Sequence, residues 1–285
     1  MKTFTDNIKQ LKGAIIALYI ILTILWIFFI ISTNNAGTYE GPLFKYVLTP
    51  FLAGMTLLPI LGAILSFKKA KHWGGWNSAI GKTLITLGLG LLGWAGGMIV
   101  WNYYLYFTDV QVPFPSLADF FFIMIWPLWT FSMIKLSKAT GAKYGFKNMG
   151  GKIFSIILAV VSVVVSYYLL FIVAKDGVVD LSVTTSQLIL NFFYPLGDVS
   201  ILISAVLVFT LSYGFLGGKY KRTVRWLLLG FFINYVADFI FLFTTTNGTY
   251  FNGHISDFMY LTMMFILTMG AAGFTLPSNE TEPTV

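Results

Sequence analysis

The sequence predicts an all-α, polytopic membrane bundle of about eight transmembrane helices. Of its 285 residues, 57% are hydrophobic and only 10% are charged, and the mean hydropathy is +0.81. Soluble domains carry about 25% charged residues. Apolar runs of about 20 residues, the length that crosses a bilayer, recur throughout the chain and leave no room for a separate soluble domain. We therefore expect one integral membrane domain over residues 1–275 in contact with the lipid bilayer.

Eight apolar runs are the predicted spans, at 14–32, 45–67, 82–107, 115–134, 153–174, 187–212, 225–246 and 254–275. The first run is longer than the 7–15 apolar residues of a secretory signal peptide, and no cleavage site follows it, so we interpret it as an uncleaved span. The last two are separated only by the short polar stretch 244–253. Residues 276–285 are polar and acidic and are predicted to form a disordered cytoplasmic tail.

The basic residues alternate between the two sides of this eight-span arrangement. Of the 18 Lys and Arg residues, all except Lys45 and Lys175 fall on the side that contains both termini. Loops rich in Lys and Arg stay in the cytoplasm. The pattern predicts a cell-membrane protein with cytoplasmic N and C termini. It also explains the net charge of +7 without a nucleic-acid partner.

The two halves of the chain resemble each other. Asn102 in span 3 corresponds to Asp238 in span 7, and Asp119 in span 4 corresponds to Asp257 in span 8. Each half has an even number of spans, so the repeats would be parallel. The predicted tandem repeats cover residues 10–138 and 150–275. The alternative is that aromatic-rich helices resemble one another by composition alone.

Four aspartates lie inside or at the edge of these spans, namely Asp119, Asp198, Asp238 and Asp257. An ionisable residue in a membrane is costly and usually faces a cavity or a partner inside the bundle. Asp119 and Asp257 fall about one turn inside the outer ends of their spans, and Asp198 and Asp238 fall deeper. All four are therefore predicted in the outer half of the membrane or near its midplane.

Polar and aromatic residues accompany these acids on the same helix faces. Asn191 and Tyr194 share a face with Asp198, and Asn234 shares a face with Asp238, because three- and four-residue spacings repeat along one side of a helix. Prolines follow Trp126 and Tyr194 and favour kinks. We predict an outward-facing ligand-binding pocket formed by Asp119, Asp198, Asp238, Asp257, Asn191, Tyr194, Asn234, Trp101, Asn102, Trp126 and His254. The alternative is that these groups only hydrogen-bond to one another and hold the bundle together.

Other chemistries are excluded or disfavoured. The chain has no cysteine, so it forms no disulfide or thiolate metal site. No lysine lies deep in a span, as a retinal Schiff base requires, and His72 and His254 lie on opposite sides, so they do not pair as haem ligands. We expect no cofactor; a metal held by the acids and His254 is a minor alternative. Gly93 and Gly97 form a G-x-x-x-G helix-packing motif, used either within the chain or in a homodimer.

Three segments resemble the membrane-embedded N-terminal sensor regions of bacterial signalling proteins that carry GGDEF, EAL or histidine-kinase output domains. They are PFPSLADFFFIMIWPL (113–128), NFFYPLGDVSIL (191–202) and NGTYFNGHISDFMYL (247–261). The matched positions are Pro115, Asp119, Pro127, Tyr194, Pro195, Asp198, Asp238, Gly248, Tyr250 and Asp257. The resemblance spans roughly residues 80–275 and implies a sensor. The chain contains no output domain, so signalling would pass through a separate cytoplasmic protein.

Three functions are compatible with these features. The first is a sensory or ligand-binding module that reads a small molecule, ion or lipid from the outer side. The second is a proton- or cation-coupled transporter, disfavoured because the cytoplasmic halves of the spans contain no acid. The third is an intramembrane lipid hydrolase that uses two aspartates and a water. It is disfavoured further by the lack of a histidine cluster or a serine–base pair, and no catalytic residue is assigned.

Overall fold

The structure is a computed structural model that describes residues 2–36, 42–108, 112–139, 149–178, 182–212 and 221–275. In these residues all regular structure is helical, which confirms the predicted all-α fold. The helices are α1 (Lys2–Ala36), α2 (Pro42–His72), α3 (Ala79–Phe107), α4 (Leu117–Ala139), α5 (Met149–Tyr167), α6 (Thr185–Ser212), α7 (Lys221–Thr246) and α8 (Ile255–Ala272). A 3₁₀ turn, Gly75–Asn77, precedes α3, and a π-helical segment, Tyr168–Val173, continues α5. The tail predicted over 276–285 lies outside the described residues.

Seven helices in the described part of the chain are long and apolar enough to cross a membrane: α1 to α4, α6, α7 and α8. The apolar helical stretch Ala159–Val173 in the fifth position is shorter. Helix α1 begins well before the first predicted span, whereas each later helix begins within about four residues of its predicted span. Hydrophobic length therefore placed the starts of α2 to α8 but not the start of α1.

Six helices form a closed ring. Helix α2 packs against α3, α3 against α4, α4 against α6, α6 against α7, α7 against α8, and α8 returns to α2. Helix α1 lies outside the ring on α2 and α8, and α5 lies outside it on α6. Both outer helices expose apolar side chains such as Ile24 and Val164. Such apolar faces suit contact with lipid chains.

Helix α1 carries a buried apolar stripe that faces the ring. Ile8, Ile15, Leu22 and Phe29 recur every seven residues and are all buried. A seven-residue spacing returns to nearly the same side of a helix. The Leu22 side chain lies so close to Gly54 of α2 that a Cβ atom at this glycine would come within 2.2 Å of it. The stripe and this glycine fix the α1–α2 contact.

Glycines on α3 allow α4 to approach closely. A Cβ atom at Gly90 would lie 2.1 Å from the Trp129 indole nitrogen, and one at Gly97 would lie 2.3 Å from the Phe122 ring. A Cβ at Gly93 would also contact α4, at 3.3 Å. The G-x-x-x-G motif therefore serves a contact within the chain, the first of its two predicted alternatives.

Candidate functional site

The six-helix ring surrounds a cavity of about 470 Å³. Each ring helix contributes to its wall, and the loops before α4, α6 and α8 line one end. Small-molecule sites typically have volumes of about 300–1,000 Å³. The predicted pocket residues that line this cavity are Asp119, Asp198, Asp238, Asp257, Asn191, Tyr194, Asn234, Trp101 and Trp126.

The four acids line the cavity at two depths. Asp119 and Asp257 lie in the first turns of α4 and α8. Asp198 lies 13 residues after the start of α6 at Thr185, or about 20 Å along the helix. Asp238 lies eight residues before the end of α7, or about 12 Å along it. This order of depth agrees with the one predicted from the spans.

Asp119 and Asp257, here called the upper acids, lie in the first turns of α4 and α8 and accept hydrogen bonds from backbone groups there. Asp119 Oδ2 accepts hydrogen bonds from the Ser116 backbone N–H at 2.6 Å and from Ser116 Oγ at 3.2 Å, and Ser116 Oγ accepts from the Ala118 N–H. This is a capping box, which satisfies backbone donors at a helix start. Asp257 Oδ2 likewise accepts from the Gly253 N–H at 2.6 Å. These carboxyl groups are therefore largely committed to the protein itself.

Each upper acid also accepts from a tyrosine. The Tyr194 hydroxyl of α6 donates to Asp119 Oδ1 of α4 at 2.5 Å, and the Tyr250 hydroxyl donates to Asp257 Oδ1 at 3.2 Å. Burial, followed by the neighbouring Asp257 carboxylate, raises the pKa of Tyr250, which lies in the loop before α8. The Trp126 ring packs edge-on against Tyr194, with 5.0 Å between ring centroids. These contacts fix the upper wall of the cavity.

Asp198 and Asp238, here called the lower acids, lie side by side but differ in the number of hydrogen bonds that they accept. Asp238 accepts from the Asn234 amide at 2.5 Å and from the Tyr260 hydroxyl of α8 at 2.6 Å. Asp198 lies beside Asp238 and the Trp126 indole, but its Oδ1 atom has no hydrogen-bond partner. The residue is only 5% exposed. Leaving a buried polar atom unpaired costs about 1–3 kcal/mol. Asp198 Oδ1 therefore lacks a donor, and the indole N–H of Trp94, a second residue that lines the cavity, lacks an acceptor.

Two predicted pocket residues do not line the cavity. The Asn102 amide donates to Thr56 Oγ1 of α2 at 3.1 Å and holds α3 against α2. His254 is the N-cap of α8, where its Nδ1 accepts from the Ser256 N–H at 3.3 Å. Burial lowers the pKa of His254, which favours the neutral, accepting imidazole. Both side chains therefore make contacts that hold helices in place, where the sequence predicted contacts with a ligand.

Several lining residues were not among those predicted for the pocket. Tyr260 lies three residues after Asp257 on the same face of α8, a spacing that could have revealed it. Lys175 is one of the two basic residues that the predicted topology places on the outer side. This exceptional position could have indicated that Lys175 lines the cavity. Asn252, whose Oδ1 accepts from the Trp101 indole at 3.0 Å, lies in a loop where no periodicity could indicate it.

No three His, Cys, Asp or Glu side chains come together as a metal site within the described ranges. The cavity therefore offers hydrogen bonding, charge and aromatic surface without a metal-ligand set. Comparisons with protein-family models, with curated proteins and with solved structures found no match to this chain. The function must accordingly be argued from the site.

Proposed function

We propose that this protein is a membrane sensory module that binds a small molecule in its cavity and signals to a cytoplasmic partner. The cavity of about 470 Å³, with the unpartnered Asp198 Oδ1 in its wall, carries the proposal. A ligand that supplies a donor there removes the cost of the unpaired atom. It would also contact both α6 and α7, and a ligand can shift a helix arrangement only through such differential contacts.

The proposal includes eight spans in a cell membrane, with both termini in the cytoplasm. The π-helical segment Tyr168–Val173 extends α5 towards a spanning length. The positive-inside rule supports the orientation, since Lys45 and Lys175 are the only basic residues of the chain on the opposite side. In this orientation the loop end of the cavity faces outwards. The ligand then enters from outside, and the signal leaves through the cytoplasmic ends of the helices.

A four-plus-four repeat, over residues 10–138 and 150–275, belongs to the same proposal. The ring consists of α2 to α4 followed by α6 to α8, with one outer helix, α1 or α5, before each group. Asp119 and Asp257 occupy equivalent places near the starts of α4 and α8, and each accepts from a preceding backbone N–H and from a tyrosine. These shared features support a common origin of the two halves.

A transporter remains the alternative, because buried acids between two repeats also suit coupled transport. The two functions differ in access. A sensor binds its ligand from one side, whereas a transporter exposes its site to both sides in turn. The natural chain has no cysteine, so a single introduced thiol reports access without a background signal.

Met98→Cys provides this test, since Met98 is buried in α3 and lines the cavity. We expect a small membrane-impermeant thiol reagent to modify this cysteine from the outer side only. Val164→Cys, on the lipid-facing side of α5, is the control and should resist the reagent from both sides. Modification from both sides would favour transport. No modification from either side would contradict an accessible cavity.

A further inference from the structure

The unpartnered carboxyl oxygen of Asp198 indicates one group that a ligand in this cavity would supply. A cation beside the two carboxyl groups would favour their ionised form, and the oxygen of an ionised carboxyl group accepts a hydrogen-bond donor. The neighbouring Asp238 already accepts from Asn234 and Tyr260 and is itself an acceptor group. A donor that also carries positive charge would satisfy Asp198 and reduce the repulsion between the two acids.

Aromatic rings line the same cavity as this pair of acids. Trp94 and Tyr260 lie 4.7 Å apart by ring centroids, and Trp126 and Tyr194 lie 5.0 Å apart; all four line the cavity. The face of an aromatic ring attracts cations, most strongly for tryptophan and with greater effect where water is excluded. The same rings offer apolar surface to a hydrocarbon group. The cavity wall therefore suits a cation that also has an apolar part.

No basic side chain among the described residues neutralises these acids. Lys175 is the cavity's basic residue among the described side chains, and its pKa is lowered by burial alone, with no acid contributing. It is therefore not the counter-ion of Asp198. A bare metal ion is also a poor fit, because no third acid or histidine of the residues that the structure describes joins the pair, and the volume of about 470 Å³ far exceeds one ion.

We propose that the ligand is a protonated organic amine with an apolar body, an inference that rests on the proposed binding function. Its ammonium group donates to Asp198 Oδ1 near Asp238. Its apolar part lies among Trp94, Trp126, Tyr194 and Tyr260. The class includes primary and secondary amines, which carry an N–H donor, and excludes quaternary ammonium ions, which do not.

The test measures binding of matched probes to the full chain in nanodiscs of neutral lipid. The probes are 2-phenylethylamine and tryptamine, with the alcohol, the carboxylate and the trimethylammonium ion built on each carbon skeleton. We expect each amine to bind at least about tenfold more tightly than its alcohol, since a charge-assisted hydrogen bond is stronger than a neutral one. Equal binding of amine and alcohol, tighter binding of the carboxylate or the quaternary ion, or no binding at all would overturn the proposal.

Two variants locate the interaction. Asp198→Asn keeps the side-chain shape but removes the charge, and it should weaken amine binding at least about tenfold while leaving alcohol binding unchanged. Asp6→Asn replaces an exposed acid outside the cavity and should have no effect. Unchanged amine affinity in folded Asp198→Asn protein would overturn the proposal, and the wild-type probe series decides the question if that variant does not fold.

The Met98→Cys experiment separates failure of the ligand class from failure of the binding function. If Met98→Cys is modified from outside and the amines still bind no more tightly than the alcohols, the ligand class is wrong but the binding function stands. If Met98→Cys is not modified, the binding function itself fails.

Discussion

The ring of Trp126 in α4 lies directly against Gly197 in α6, and a Cβ atom at this glycine would come within 2.1 Å of the ring. Gly197 therefore sets the distance between two helices of the ring at the level of Asp198. It also holds Trp126, which packs against Tyr194, in the cavity wall. Side-chain volume at one helical position thus controls the shape of the cavity.

Gly197→Ala should displace Trp126, because the added methyl group would overlap a rigid indole. Overpacking of this kind costs about 1–3 kcal/mol. We expect a lower Tm in detergent and weaker ligand binding. Gly13→Ala in α1 is the control, since no other group lies within 4 Å of a Cβ atom there and alanine favours a helix. An unchanged Tm for Gly197→Ala would contradict the close packing of α4 on α6.

Tyr260→Phe should destabilise the α7–α8 contact, because it removes the hydroxyl that donates to Asp238 at 2.6 Å. A hydrogen bond to a charged group contributes about 1.5–3 kcal/mol, against about 0.5–1.5 kcal/mol for a neutral one. Tyr235→Phe removes a neutral bond to Ser166 Oγ at 2.9 Å and serves as the matched control. Thermal unfolding should show the larger loss for Tyr260→Phe. Equal losses would argue against a strong Asp238 interaction.

Ser116→Ala should weaken the start of α4. The variant loses the hydroxyl that caps the Ala118 N–H and contacts Asp119. Loss of an N-cap side chain costs about 0.5–2 kcal/mol. Ser116→Thr, which keeps the hydroxyl group, should be less destabilising than Ser116→Ala. The reverse order of Tm values would contradict the capping role.

His254 should make the protein less stable as the pH falls below about 6.5. Burial lowers its pKa in the folded protein, whereas the unfolded imidazole titrates near 6.5. Above that value both states hold a neutral ring and the residue has no effect. As the pH falls below it, the unfolded state takes up the proton first, so the free energy of unfolding decreases. Protonation of Nδ1 would also remove the acceptor for the Ser256 N–H.

The measurement compares Tm at pH 7.5 and pH 5.5 for the natural protein and for His254→Asn. Asparagine can still cap the helix but does not titrate in this range. The natural protein should lose more stability on acidification than the variant. An identical loss would place the pH dependence on other groups.

The sequence predicted the helices and many of the residues that line the cavity. Asp198 and Asp238 are conspicuous because charge is rare in apolar runs, and Asn191, Tyr194 and Asn234 follow from helical spacing to those acids. Tyr260 and Tyr250 were not assigned to the pocket because tyrosines near span ends are usual in the interfacial belt of a membrane protein. Only contact across helices distinguishes a belt tyrosine from one that donates to a buried carboxyl group.

Sequence alone determined that this is an all-helical protein suited to a membrane, and it placed the starts of α2 to α8 within about four residues, because hydrophobic length and periodicity are local properties of the chain. The tertiary structure decided what each polar residue does. Asp119 and Asp257 bind backbone donors at helix starts, Asn102 turns to Thr56, and Asp198 alone among the four acids keeps a carboxyl oxygen without a partner. These differences arise because hydrogen bonding depends on which neighbours the packed helices bring within about 3 Å, and linear spacing does not encode that.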